Sequence, residues 1–495
     1  MPHHTDLIEL ESRPSSCRHS SIDDDVTQLT VEPSSSTSRA DVSSQPSLTD
    51  FASQSTRNGS SLPPADQGIQ AWSFLVAAFV VEAIVWSFPF AYGVFLESYL
   101  SDPVYSSQSH AITLLPLIGT ISSGIMYCSG VVLYPTIVRY PRMRRPSVWV
   151  GAALCAASLF GASYTTRIPV LFGLQGVLYA LGGNFLYFPT IFYMNEWFIR
   201  LRGTASGIVF AGTAAGGLIL PLAFPALIDR YGAAKSLRIY SIAIACMLLP
   251  VLPWIRGRLP HTRIYGPAPR ASNRQWIKNP SWWLYTMANL VQGFGHFMPI
   301  VWLPILVSKS ISSSSAFASE LSLSALQSAG ALAALNGASV VGGLVMGYLS
   351  DHFNAWLLAL GSLISTALAT FVLWGIFGNT FAGLIAFGLA YGIVAGSWSS
   401  LWMSFARSYA KEEPGLSTTL FGYICLGRGI GNVMSTPIAT ALIGAKSYAM
   451  ASATGFAVGG GRFESMIIYS GTCFVASTGL AVFGWRSDMW SFRRQ

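Results

Sequence analysis

The chain has 495 residues, of which 52% are hydrophobic and only 10% charged, and its mean hydropathy is +0.48. Soluble domains carry about 25% charged residues, so these values exclude a soluble globular protein and indicate a polytopic membrane protein. The net charge of +8 is placed as membrane topology would place it, so no nucleic-acid partner is expected. None of the six cysteines lies in a metal-binding spacing, so neither metal nor cofactor is expected.

In chain order, residues 1–65 are rich in Ser and Thr and poor in aromatics. Such a segment cannot bury a core and reads as a disordered cytoplasmic tail. Charges then punctuate apolar runs near 72–97, 110–135, 146–165, 169–194, 203–227 and 237–255. A second set follows near 282–307, 327–349, 356–377, 381–405, 415–443 and 465–485. A helix needs roughly 20 apolar residues to cross a bilayer core of about 30 Å, so the expectation is an all-α protein of twelve transmembrane helices. Residues 66–255 and 281–486 form two six-helix halves in this reading. The polar stretch 256–280 is a cytoplasmic linker, and 487–495 a cytoplasmic tail. An even number of spans puts both termini on one side. That side is the cytoplasm, because its loops and C-terminal tail hold seventeen Lys and Arg against seven in the outer loops, as the positive-inside rule requires.

A constant offset of 212 residues maps Gly130 onto Gly342 and Gly176-x-x-Tyr179 onto Gly388-x-x-Tyr391. The two halves are therefore expected to be pseudo-symmetric, with any solute site near the midplane between them.

Ionisable residues inside a span are functional candidates by default. Glu82 lies ten residues past Trp72, about 15 Å into the first span. His296 lies in the seventh span and corresponds to Ile84 under the offset, two residues from the partner of Glu82. A carboxylate shielded from water and an imidazole can both exchange a proton near neutral pH. Glu82 and His296 are thus the candidates for proton coupling. Arg428, in the eleventh span, carries a guanidinium whose two-pronged fork suits a carboxylate and is a candidate for binding an anionic solute. Asn184, Tyr179 and Trp398 are the polar and aromatic candidates for the cavity wall. Each has a plainer reading as a helix-packing residue or internal ion pair.

The hairpin from Gln175 to Pro221 carries a resemblance. Its Gln-Gly-x-x-Tyr179, Tyr187-Phe-Pro189, Glu196-Trp-Phe and Arg202-Gly-x-Ala-x-Gly207 resemble the fourth and fifth helices of the monocarboxylate-transporter-like branch of the major facilitator superfamily, especially its fungal members. Asp66-Gln-Gly68, before the first span, and Gly347-Tyr-Leu-Ser-Asp351, after the eighth, are similar to the same branch. The resemblance implies the twelve-helix major facilitator fold, alternating access and a cavity lined by the first, fourth, seventh and tenth helices. In animal carriers of the branch, a lysine on the first helix and an aspartate–arginine pair on the eighth handle lactate and its proton. The matching positions here are Phe90, Ser339 and Gly343, so that chemistry is not implied.

The expectation is a transporter and not an enzyme. It would be a secondary active carrier of a small organic solute, a monocarboxylate or other organic anion, working by proton symport in the lipid bilayer of the plasma membrane or an organelle. The alternative is a non-transporting sensor that retains the transporter fold.

Overall fold

The structure is a computed structural model describing residues 62–259, 275–308, 325–378, 380–410, 413–445, 456, 458 and 463–492. All but the last four residues of the N-terminal tail expected over 1–65 and most of the linker expected over 256–280 lie outside these residues. No strand occurs among the described residues.

Twelve helical rods can be followed among the described residues. The first, α1, is Ile69–Ser101. Next, α2 runs Ala111–Cys128 and continues as Gly130–Arg139 after a 44° bend. Helix α3 is Arg144–Ala162 and α4 is Ile168–Trp197. Residues Arg202–Val251 form a continuous helical stretch interrupted only at Gly232, giving α5 (202–231) and α6 (233–251). The second set comprises α7 (Pro280–Ser308), α8 (Ala325–His352), α9 (Ala355–Trp374), α10 (Phe381–Ala410), α11 (Pro414–Ala445) and α12 (Glu464–Phe492). Among the described residues, seven helices are long and apolar enough to cross a membrane, or eight with the bent α2 pair, the stretch containing α5 and α6 counting once.

Two element boundaries differ from the sequence reading for physical reasons. No loop separates α5 from α6. Gly232 adopts φ 78° and ψ 162°, a backbone state that residues with a Cβ avoid, so one residue breaks the helix. At the far end α12 continues to Phe492, beyond the expected end at 485. There the indole N–H of Trp356 donates to Asp488 at 3.2 Å, and the Trp356 ring packs beside Gly484.

The offset of 212 reappears as geometry. Pro89 lacks the N–H that would bond the Val85 carbonyl, and the Tyr179 hydroxyl lies 2.9 Å from the Ile84 carbonyl and 3.3 Å from that of Val85. At the equivalent place, the Tyr391 hydroxyl donates to the His296 carbonyl at 2.9 Å. Helices α4 and α1 therefore share a register with α10 and α7. Gly176 packs on Ile118 and Ile121 of α2, and Gly388 on Ala331 and Leu335 of α8. The third pair diverges, since Gly130 faces Gly422 of α11 while Gly342 faces Ile393 of α10.

The two sets of six helices meet along two glycine crossings. Gly203 and Gly207 of α5 lie against Gly347 of α8, and Gly130 of α2 lies against Gly422 of α11. Backbones can come this close only where side chains are absent. Asp351 then crosses from α8 to cap α5. Its carboxylate accepts the Gly203 and Thr204 N–H groups at 2.7 Å each and the Thr204 hydroxyl at 2.8 Å. A second carboxylate holds the preceding elbow: Asp66 accepts the N–H groups of Ile199, Arg200 and Leu201 at 2.9–3.1 Å. Both place negative charge on otherwise unpaired amides ahead of a helix start.

Candidate functional site

The site is built from the midsections of α1, α2, α5, α7 and α11, where the two sets of six face each other. Glu82 of α1 is 2% exposed. One carboxylate oxygen, Oε1, accepts from the Thr213 hydroxyl of α5 at 2.8 Å. The other, Oε2, is buried without a hydrogen-bond partner. The close approach of α1 to α5 that makes the Thr213 bond possible comes from Gly212 and Gly216, which pack directly on Phe79, Ala83 and Ser87.

Arg428 of α11 is 5% exposed. It donates to Gln292 Oε1 of α7. Its guanidinium carbon lies 4.7 Å over the Phe297 ring and 5.9 Å from that of Trp402. Nε is buried without a partner, and among the described residues no carboxylate pairs with Arg428. Each cation–π contact is worth about 0.5–2 kcal/mol, whereas removing a charge from water costs several kcal/mol. The rings therefore shelter the cation without neutralising it.

An internal ion pair between Glu82 and Arg428 was one sequence-level possibility. The two are not paired: Glu82 takes its one hydrogen bond from α5, and Arg428 bonds to Gln292 of α7 and Tyr127 of α2. Tyr127 of α2 and Cys425 of α11 lie within electrostatic reach of both. An acid and a cation thus lie buried in opposite halves, with Tyr127 and Cys425 near both.

His296 is 4% exposed, one turn past Gln292, whose amide nitrogen lies 3.5 Å from His296 Nδ1. With the Gln292 oxygen turned to Arg428, its NH2 group donates to Nδ1 and the imidazole proton sits on Nε2. Gln292 thereby links His296 to the cation, and the imidazole stacks on Tyr391 at 5.8 Å. The remaining candidates have their donor groups engaged with protein, while Asn184 Oδ1 is buried without a partner. The Tyr179 hydroxyl is spent on the α1 carbonyls. Asn184 donates to the Ser129 hydroxyl at 2.7 Å. The Trp398 indole donates to Asn289 at 2.9 Å, and Asn289 also accepts from Trp402 at 3.1 Å. The structure brings Glu82, His296 and Arg428 to the seam, and ties Tyr179, Asn184 and Trp398 into the helix packing around it.

The sequence profile of the Major Facilitator Superfamily matches residues 74–433, most of the chain and both sets of helices. The chain belongs to the major facilitator superfamily. It is a multi-pass membrane protein, and members of this superfamily are transporters, not enzymes. It is similar to the MFS transporter asaE of Aspergillus flavus, with 25% identity over 425 residues covering 85% of this chain and 87% of the relative. It is also similar to the fujikurins efflux protein of Gibberella fujikuroi, with 24% identity over 318 residues and 63% of each chain covered. The crystal structure of the transporter FucP in the outward conformation superposes with a TM-score of 0.55 at 12% identity, covering 83% of this chain and 99% of FucP. At that identity the likeness is one of fold.

Within this major facilitator fold, several site residues were not singled out from sequence. Thr213 is one uncharged residue in a glycine-rich helix, and only the α1–α5 crossing shows that it meets Glu82. Tyr127 and Phe297 reach Arg428 from α2 and α7, sequence separations that no local pattern encodes. A usable signal did exist at Trp86, because an i, i+4 spacing from Glu82 places both on one face of α1.

Proposed function

We propose that the protein is a proton-coupled secondary transporter of a small organic anion, a monocarboxylate or related organic acid, working by alternating access. The observation that carries this reading is the pair of buried ionisable residues, Glu82 and Arg428, on opposite sides of the seam and each without an ionic partner among the described residues. In the proposed cycle Arg428 holds the anion and Glu82 holds the proton. A neutral acid is far cheaper to bury than a carboxylate, so protonation of Glu82 allows the halves to close over the loaded site. His296, coupled to Arg428 through Gln292, senses occupancy of the cation and is the second candidate for the proton. Tyr179, Asn184 and Trp398 support the wall of the cavity. The likeness to proteins named as transporters and efflux proteins, together with the resemblance to the monocarboxylate-transporter-like branch, supports this reading. The membrane is proposed to be the plasma membrane, with both termini in the cytoplasm.

The test is transport in proteoliposomes. Glu82→Gln mimics the protonated acid. It is expected to abolish accumulation of a labelled organic anion driven by an imposed pH gradient while retaining anion exchange, because exchange moves no net proton. Gradient-driven accumulation at the wild-type level in Glu82→Gln would remove Glu82 from the mechanism and leave His296 to be tested. Absence of any counterflow by the wild type would favour the sensor alternative.

A further inference from the structure

A row of aromatic rings drawn from both halves links the neighbourhood of Glu82 to Arg428. Trp86, one helical turn past Glu82, has its ring centroid 4.4 Å from that of Tyr127 and 5.6 Å from that of Tyr187. Tyr127 meets Phe297 at 6.4 Å, and Phe297 is the ring beneath the Arg428 guanidinium. The row therefore runs from the indole to the cation through α1, α2, α7 and α11. Its middle contact, Tyr127 to Phe297, joins the first half to the second. Any separation of the halves must open that contact and expose ring faces on both sides of it, with the cation at one end. The Trp86 indole N–H is buried with no hydrogen-bond partner, so a donor stands ready at the other end.

A small saturated acid would engage the guanidinium and leave the rest of this row unused. A flat conjugated acid would stack on Trp86 and Tyr127 while its acidic group met Arg428, and a ring carbonyl or hydroxyl oxygen would accept from the Trp86 N–H. We infer that the seam selects flat, conjugated organic acids over saturated ones, and that Trp86 is the residue that sets this selectivity. The inference rests on the organic-anion reading above and narrows it.

The experiment compares cinnamate with 3-cyclohexylpropanoate as inhibitors and counterflow substrates of the reconstituted full chain. Both carry one carboxylate on a six-membered ring through a two-carbon arm, and only cinnamate is flat and conjugated. Aromatic contacts of this kind favour cinnamate by up to about tenfold in half-saturating concentration. Trp86→Leu is expected to erase most of that ratio, and Trp86→Phe, which keeps a ring in place, to retain part of it. Equal handling of the two acids by the wild type would overturn the inference and leave the organic-anion reading standing. So would a ratio undiminished in Trp86→Leu or, where that variant does not reach the membrane, a ratio in Trp86→Phe equal to the wild type's. Failure of the wild type to carry either acid, or equal transport of both by Arg428→Gln and wild type, would overturn the organic-anion reading and the inference with it.

Discussion

Arg428 and Glu82 differ in what surrounds them, and that difference separates their expected mutant behaviour. Arg428 has two aromatic rings and one amide oxygen but no counter-charge among the described residues. A bound carboxylate would supply charge-assisted hydrogen bonds worth about 1.5–3 kcal/mol. Arg428→Gln is therefore expected to raise the half-saturating anion concentration by about tenfold or more, with normal amounts of protein in the membrane. Arg428→Lys should lie between, because a point charge replaces a two-pronged fork. Titrating transport rate against anion concentration for the three proteins checks this, and identical curves would exclude Arg428 from the site. Glu82 is held by one hydroxyl, that of Thr213. Its substitution should change coupling to protons more than anion affinity.

The decisive elements are the crossings between α5 and α8 and between α2 and α11. The first brings Gly207 onto the Gly347 backbone and is closed by the Asp351 cap on Gly203 and Thr204. The equivalent of Asp351 under the offset is Arg139, which cannot accept amide hydrogens, so α11 receives no matching cap from that position. The seam is clamped asymmetrically. Losing a cap residue costs about 0.5–2 kcal/mol. Asp351→Ala should weaken the closed arrangement at this end by that order, seen as faster labelling of a cysteine placed at Ser206, which is buried here and bonded to the Ser400 carbonyl. Gly207→Leu should prevent the α5–α8 approach altogether and abolish transport. Wild-type transport by Gly207→Leu would show that the crossing is not needed in the cycle. Helix α10 adds a further irregularity, a 3₁₀ segment over Gly396–Leu401 that contains Ser400 and ends just before Trp402.

At the scale of the molecule, the charge bias predicts that the Asp351 end and the linker expected over 256–280 face the cytoplasm. An epitope inserted near Pro267 should resist protease added to intact cells and be cleaved after permeabilisation. Cleavage in intact cells would invert the topology. The pseudo-symmetry makes a related statement about mechanism. The bonds from Tyr179 to Ile84 and from Tyr391 to His296 tie α4 to α1 and α10 to α7, so motion is expected at the seam more than between those helices. Tyr391→Phe should therefore lower stability, read as thermal inactivation at reduced temperature, more than it changes anion selectivity.

Length, apolar runs and the placement of Lys and Arg set the expected number of helices, their approximate ends and the expected orientation, because crossing a bilayer imposes a minimum run of apolar residues on the sequence itself. The repeat was legible for a similar reason: glycine and tyrosine at one offset mark close packing that both halves need. Glu82, His296 and Arg428 were visible because a charge in an apolar run stands out. Their relation to one another was not. That Glu82 pairs with Thr213 and not with Arg428, that Gln292 joins Arg428 to His296, and that Trp86, Tyr127 and Phe297 line up between acid and cation depend on the rotation and register of five helices. Those are set by side-chain packing between residues far apart in the chain, and only the tertiary structure decides them.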